Sequence, residues 1–311
     1  MAPHRQILVL FGGSAAALLV ASAVGAWLAH RDPGNAVIAN FNSRTRSWWV
    51  MVAILALAMV AGPGLTVVLY AAVSGFALYE FLRLSAAWES DRMAIFLAFA
   101  VLLPGQYLLI WAGWSGMFSI LIPVYGFLFL PILSALRGDS ARFMARTSEL
   151  YWGLMVAVFC LSHVPALLMV RIPGFEGRNI FLIAFLIIVV EASDVLQYLW
   201  GKLVGRTKIA PTLSPSKTVE GLVGGAASAC ALGTGLWWMT PFAPWQALLV
   251  SMGLTMMGFL GGLVMSAIKR DRRVKDWGLL IPGHGGMLDR IDAVLFAAPV
   301  YFHVIRFWWG G

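Results

Sequence analysis

The 311-residue sequence predicts an all-α, polytopic integral membrane protein with about ten transmembrane helices. Three observations carry that class. Hydrophobic residues make up 60% of the chain and charged residues only 12%, against about 45–50% and about 25% in soluble domains. Mean hydropathy is +0.84. The apolar residues gather into ten stretches, most of them near the roughly 20 residues a spanning helix needs. This composition excludes a soluble enzyme, a disordered chain and a nucleic-acid-binding domain. The net charge of +8 reads instead as a signal of membrane orientation.

The ten stretches are approximately 7–29, 48–61, 65–82, 94–111, 117–136, 151–170, 180–200, 219–239, 245–268 and 293–309. The first is too long for the hydrophobic region of a signal peptide and reads as a retained helix. The second and third are short. Gly62-Pro63-Gly64 splits them, and proline with glycine predicts a helix break. The fourth and fifth meet at residues 112–116 with no charge between them. Cys160 and Cys230 fall inside spans and read as small packing residues. Gly221, Gly224, Gly225, Gly261 and Gly262 read as close contacts between helices.

With ten spans, five alternate loops carry 18 of the 22 basic residues. The positive-inside rule then places those loops in the cytoplasm and both termini outside. Tryptophans at 48, 49, 237, 238, 308 and 309 sit near span ends, where an interfacial aromatic belt belongs. Residues 1–180 are expected to form about six N-terminal transmembrane helices. Residues 181–311 are expected to form a C-terminal transmembrane catalytic region with two cytoplasmic loops, 201–218 and 269–292.

Ionisable residues within spans are costly and usually mark function or a buried pair. Glu80 reads as an interfacial residue beside Arg83. Glu191 and Asp194 lie about one helical turn apart near the end of the seventh span. The loop that follows carries Lys202, Arg206, Lys208 and Lys217, with Ser214 and Thr218 where the eighth span begins. A helix N-terminus with free N–H groups, a hydroxyl and a lysine suits a phosphate. A basic loop facing lipid headgroups reads equally well from that segment alone.

Loop 269–292 weighs toward chemistry. It interleaves Lys269, Arg270, Lys275 and Arg290 with Asp276, Asp289 and Asp292 around Pro282-Gly283-His284-Gly285-Gly286. The aspartates are oxygen donors suited to a hard cation such as Mg²⁺. The cations would neutralise phosphate charges, and the glycines let backbone approach a ligand closely. Carboxylates, a hard cation and a ring of cations beside lipid point to phosphoryl or nucleotidyl transfer at the bilayer surface. The active site is therefore expected at the cytoplasmic end of the C-terminal helices.

The string from Ser266 to Asp292 resembles the signature of the phosphatidate cytidylyltransferases, or CDP-diacylglycerol synthases. The pattern reads Ser266-x-x-Lys269-Arg270, four residues, Lys275-Asp276-x-Gly278, then Pro282-Gly283-His284-Gly285-Gly286-x-x-Asp289-Arg290-x-Asp292. Ser193-Asp194, Tyr198, Gly201 and Ser214-Pro215-x-Lys217-Thr218-x-Glu220-Gly221 resemble a second region of that family. Two positions depart from it: Ser216 stands where a lysine is common, and Gln197 where an alanine is frequent.

The resemblance implies a reaction of CTP with phosphatidate to give CDP-diacylglycerol and pyrophosphate in phospholipid biosynthesis. It also implies Mg²⁺, with a second cation left open. Asp276, Asp289, Asp292 and Asp194 become the expected metal ligands. Asp276, Asp289, Lys275, His284 and Arg290 are expected to be catalytic. Ser214, Lys217, Thr218, Lys269, Arg270 and Lys202 are expected to bind substrate. His284 would either donate to the leaving pyrophosphate or brace its turn. The expected partners are CTP, phosphatidate or a similar lipid phosphate and membrane lipids, with no nucleic acid; the resemblance also implies a homodimer. The expected location is a bacterial inner membrane with the site facing the cytoplasm. A related transferase acting on another lipid phosphate is the alternative. A transporter is disfavoured because polar residues cluster at one surface rather than at mid-membrane.

Overall fold

The computed structural model describes residues 3–281, 283 and 285–311, with side chains described from residue 11. His284 and Pro282, expected in the glycine-rich turn, lie outside the described residues. Among the described residues ten long helices run α1 (Pro3–Arg31), α2 (Ala36–Ala61), α3 (Pro63–Leu82), α4 (Arg92–Trp111), α5 (Ser115–Leu136), α6 (Phe143–Met169), α7 (Ile180–Leu203), α8 (Val219–Gly235), α9 (Pro244–Asp271) and α10 (Leu288–Trp308). Among the described residues, all but α8 are long and apolar enough to cross a membrane. Helix α8 has 17 residues, at the short end of what spans a bilayer. The protein is an all-α polytopic integral membrane protein.

The break at Gly62 is present. Pro63 opens α3, where its missing N–H costs nothing, and Thr66 Oγ1 donates back to the Ala58 carbonyl across the joint at 3.1 Å. Helix α2 is longer than expected and starts at Ala36 rather than near Trp48. Asn35 caps it by accepting the Val37 N–H at 2.9 Å. Arg44 and Arg46 therefore lie on helix, not in a loop. Helices α4, α5 and α6 each contain a π-helical turn, at Ala98–Leu102, Leu121–Gly126 and Met155–Cys160. Such turns are mostly found as single-turn insertions in longer helices.

One apolar core runs through both halves of the chain, from Val67 and Leu78 on α3 through Leu186 on α7 to Tyr301 on α10. Helix α7 packs on α8, α9 and α10, whereas α1 packs chiefly on α2 at the edge. The α7–α8 contact is close: a Cβ on Gly225 would fall 2.5 Å from the Gln197 backbone N. A small residue there lets two helix backbones approach. The expected loop 201–218 is partly ordered as an antiparallel hairpin, β1 (Lys208–Ala210) with β2 (Ser214–Thr218). Glu220 closes its base by accepting the N–H groups of Arg206 and Thr207 at 3.0 and 3.1 Å. The hairpin meets the end of α9 at Arg270, whose Nε donates to the Leu213 carbonyl at 3.3 Å and whose Nη1 donates to the Val274 carbonyl, in the 272–287 loop between α9 and α10, at 3.4 Å.

Candidate active site

Beneath the hairpin lies a pocket of 180 Å³ lined by Asp194, Tyr198, Ser216, Lys217, Thr218 and Phe259. Asp194 comes from α7, Lys217 and Ser216 from β2, and Phe259 from α9. Lys217 is half-buried; its Nζ donates to the Phe259 carbonyl at 3.3 Å and lies 4.7 Å from the Phe259 ring centroid. Burial pushes the Lys217 ammonium below the usual lysine range, and Lys269 pushes the same way. Asp194 and Asp292 oppose both by favouring its charge. Two carboxylates and two cations from β2, α7, α9 and α10 thus act on one another here. Arg290 and Glu191 belong to the same electrostatic group. The Arg290 Nε is buried with no hydrogen-bond partner among the described residues. Arg290 is half-buried, and a guanidinium with a spare donor suits a phosphate.

The α9–α10 loop carries the rest of the expected site. Helix α9 ends with Arg273 in the left-handed region (φ +57°), a place more often taken by glycine. The Val274 N–H then returns to the Lys269 carbonyl at 2.9 Å. Further on, the Ile281 N–H donates to the Gly285 carbonyl at 2.8 Å and closes a tight turn. Trp277 is buried and stacks on Phe81 of α3, centroids 5.3 Å apart.

Asp289 holds this loop together. It is 7% exposed. Its Oδ1 accepts from Lys269 Nζ at 2.8 Å, and its Oδ2 accepts the N–H groups of Trp277 and Gly286 at 2.7 and 2.9 Å. Both oxygens are engaged by protein donors. Asp276 is exposed, with its Cβ near Gly285. Asp292 is half-buried and accepts the Ala293 N–H at 2.8 Å.

The structure brings Asp194, Asp292, Lys217, Lys269 and Arg290 together and leaves the other expected residues nearby in different settings. Lys275 is exposed at the loop surface. Arg270 is exposed and tied to the hairpin. Lys202 is exposed, its Nζ 5.7 Å from the Tyr198 ring centroid. Ser214 pairs with Ala210 in the hairpin. Thr218 is buried and caps α8, its Oγ1 accepting the Gly221 N–H at 3.1 Å, which is the ordinary use of a threonine at a helix start.

Two residues outside the signature complete the setting. Glu80, read from the sequence as an interfacial partner of Arg83, is instead 4% exposed and accepts the N–H groups of Met287 and Leu288. Arg83 donates to the Trp277 carbonyl at 2.7 Å. The sequence offered one signal for Glu80: it is the single acid in a 20-residue apolar helix, where an unexplained charge is costly.

The donor set suits Mg²⁺ in one particular way. Among the described residues, no group of three or more His, Cys, Asp or Glu is arranged to hold a metal. Mg²⁺ does not need such a cage; it commonly binds one or two carboxylates, keeps waters and takes substrate phosphates. Asp194, which lines the pocket, and Asp292, which feels its charge, are oxygen donors of that kind.

Fold and site together define a polytopic membrane protein with a pocket that presents one lysine and one aspartate, Lys217 and Asp194, with further charged residues close enough to act on them. The chain belongs to the cytidylyltransferase family, whose profile matches residues 42–308, and is a nucleotidyltransferase. It is 40% identical over 269 residues to YnbB, an uncharacterized protein of Escherichia coli K12, covering 85% of this chain and 87% of that one. It is 30% identical over 262 residues to a phosphatidate cytidylyltransferase of Bacillus subtilis 168, covering 82% and 93%. A phosphatidate cytidylyltransferase of Staphylococcus saprophyticus is 38% identical over 155 residues, covering 48% of this chain and 59% of that one.

Proposed function

We propose that this protein transfers the cytidylyl group of CTP to phosphatidate, giving CDP-diacylglycerol and pyrophosphate for phospholipid synthesis. The observation that carries the reading is a small pocket lined by Asp194 and Lys217, with Lys269, Arg290 and Asp292 close enough to act on their charges. The similarity to named phosphatidate cytidylyltransferases supports the choice of substrates.

The acceptor needs no activated serine or cysteine, because its phosphate oxygen is already an anionic nucleophile. That oxygen forms a bond to the α-phosphorus of CTP. The bond from the α-phosphorus to the bridging oxygen breaks, and pyrophosphate leaves with the electron pair. The main barrier is bringing polyanions together in line. Lys217 and Arg290 hold phosphate oxygens, and Lys269 adds charge while fixed to Asp289. Asp194 and Asp292 would hold Mg²⁺, which supplies charge neutralisation at the phosphates when bound. Asp289 serves as the brace of the loop, and Asp276, exposed on the same loop, is a further ligand once substrate is present. Residues 181–311 carry this chemistry and residues 1–180 brace it. The basic loops face the cytoplasm of a bacterial inner membrane, where CTP is available, and the acceptor reaches the site from the lipid.

The test is CDP-lipid formation by the purified protein from labelled CTP across an acceptor panel of phosphatidate, a polyprenyl phosphate and a dolichyl-type phosphate. Phosphatidate is expected to be the preferred acceptor. Product with a polyprenyl acceptor alone would move the protein to another branch of lipid phosphate chemistry.

Lys217 makes the reaction sensitive to pH. Its ammonium is held below the usual lysine range by burial, so rising pH removes its charge sooner than that of an exposed lysine, near about 10.4. The KM for CTP is expected to rise on the alkaline side. Lys217→Arg, which stays protonated, should flatten that rise. An unchanged alkaline limb in Lys217→Arg would assign it to another group.

A further inference from the structure

Glu80 sits on α3, far in sequence from the α9–α10 loop, yet its carboxylate lies at the centre of that loop. Its Oε1 accepts the N–H of Met287 and its Oε2 that of Leu288, both at 2.9 Å. These N–H groups open α10, where a helix has no intrahelical acceptors for them and where its dipole favours a negative charge. Glu80 thus caps α10 from another helix. Methionine at the cap position has no side-chain oxygen to do so.

The loop is shaped around this carboxylate. A Cβ on Gly286 would lie 2.5 Å from Glu80 Oε2, and one on Gly278 would lie 2.6 Å from Oε1. Neighbouring side chains at the end of α3 hold the same loop, Phe81 through the Trp277 ring and Arg83, just past the helix, through the Trp277 carbonyl. Among the described ion pairs none involves Glu80. A buried carboxylate without a cation is costly unless its hydrogen bonds are strong and fixed. Its cost is offset only while the loop keeps this one conformation.

We infer that Glu80 is a positioning residue: it sets the start of α10 so that Arg290 and Asp292 face Asp194 and Lys217. The inference rests on the proposed reaction for its catalytic consequence, but the placement itself can be read without substrate. Glu80 acts through backbone N–H groups and does not touch the reacting atoms.

The test uses the purified full-length protein and Glu80→Gln, which keeps the shape but turns one acceptor into a donor facing an N–H. Backbone hydrogen exchange is measured over residues 278–290 and over α7, together with kcat and the KM for CTP. Exchange at residues 285–290 is expected to rise about tenfold as the local opening becomes easier, with α7 unchanged. Turnover is expected to fall about 10- to 100-fold, as for a misplaced catalytic constellation, with KM for CTP little altered. Glu80→Asp, which keeps the charge at shorter reach, should recover part of the kcat.

Wild-type exchange at 285–290 in folded Glu80→Gln would overturn the inference. So would a rise in exchange spread evenly over all helices, which is the mark of general destabilisation. If Glu80→Gln does not fold, Gly286→Ala is read in the same way, because its methyl presses on the same carboxylate. Absence of cytidylyl transfer by the wild-type protein would defeat the proposed reaction and leave the exchange result to decide the role of Glu80.

Discussion

Asp194→Asn and Asp292→Asn each lower turnover by about 100- to 1,000-fold, the several kcal/mol expected of a lost metal ligand, and neither lowers the melting temperature. The two halves of this result have one cause. Asp194, Asp292 and Glu191 are carboxylates held near one another, and like charges in such proximity oppose folding. Removing one charge relieves the cost of burying it and that repulsion, which together outweigh the attraction of Lys217, Lys269 and Arg290, while removing an oxygen that the proposed Mg²⁺ would use. Loss of activity at constant or raised stability is the pattern of a site kept for function at the expense of the fold. The measurement is turnover of CTP to lipid product beside a thermal melt in the same detergent. A drop in both, or near-normal turnover in both variants, would take the metal role away from these residues.

Asp289→Ala has the opposite signature. Its carboxylate accepts from Lys269, Trp277 and Gly286 and pairs with Lys269 at 2.8 Å. Removing it strands a cation and two N–H groups, and breaking such a buried pair costs about 3–5 kcal/mol. A clear fall in melting temperature is expected together with loss of activity. The contrast with Asp194→Asn matters more than either value alone. On that result, two aspartates that look equivalent in the sequence separate into one proposed to serve the ligand and one that holds the loop. A stable but inactive Asp289→Ala would return Asp289 to the chemistry.

Much of this was legible in the sequence, for identifiable reasons. Long apolar runs show themselves, so the helices were readable. Those with polar residues near one end were not readable in full: Asn40, Asn42, Ser43, Arg44 and Arg46 interrupt the hydropathy of α2 and hid its first turns. The hairpin after α7 was hidden too, because Pro211, Ser214, Pro215 and Ser216 read as loop. Within the site, spacing revealed the loop motif but not the division of labour inside it. Whether an aspartate faces a pocket or its own backbone depends on where N–H groups fall in three dimensions. Glu80 shows the limit best. Its visible neighbour was Arg83, three positions away, whereas its partners Met287 and Leu288 lie 207 and 208 residues away.

In the proposed reaction a cytidylyl group, not a terminal phosphoryl group, passes to a lipid phosphate. The most direct measurement follows the label from CTP carrying ³²P at either the α or the γ position. Purified protein is incubated with phosphatidate, with and without Mg²⁺. Label from the α position is expected in the lipid fraction and label from the γ position in pyrophosphate, both only when the divalent metal is present. Label from the γ position in lipid, or no label in lipid from either CTP, would contradict the account.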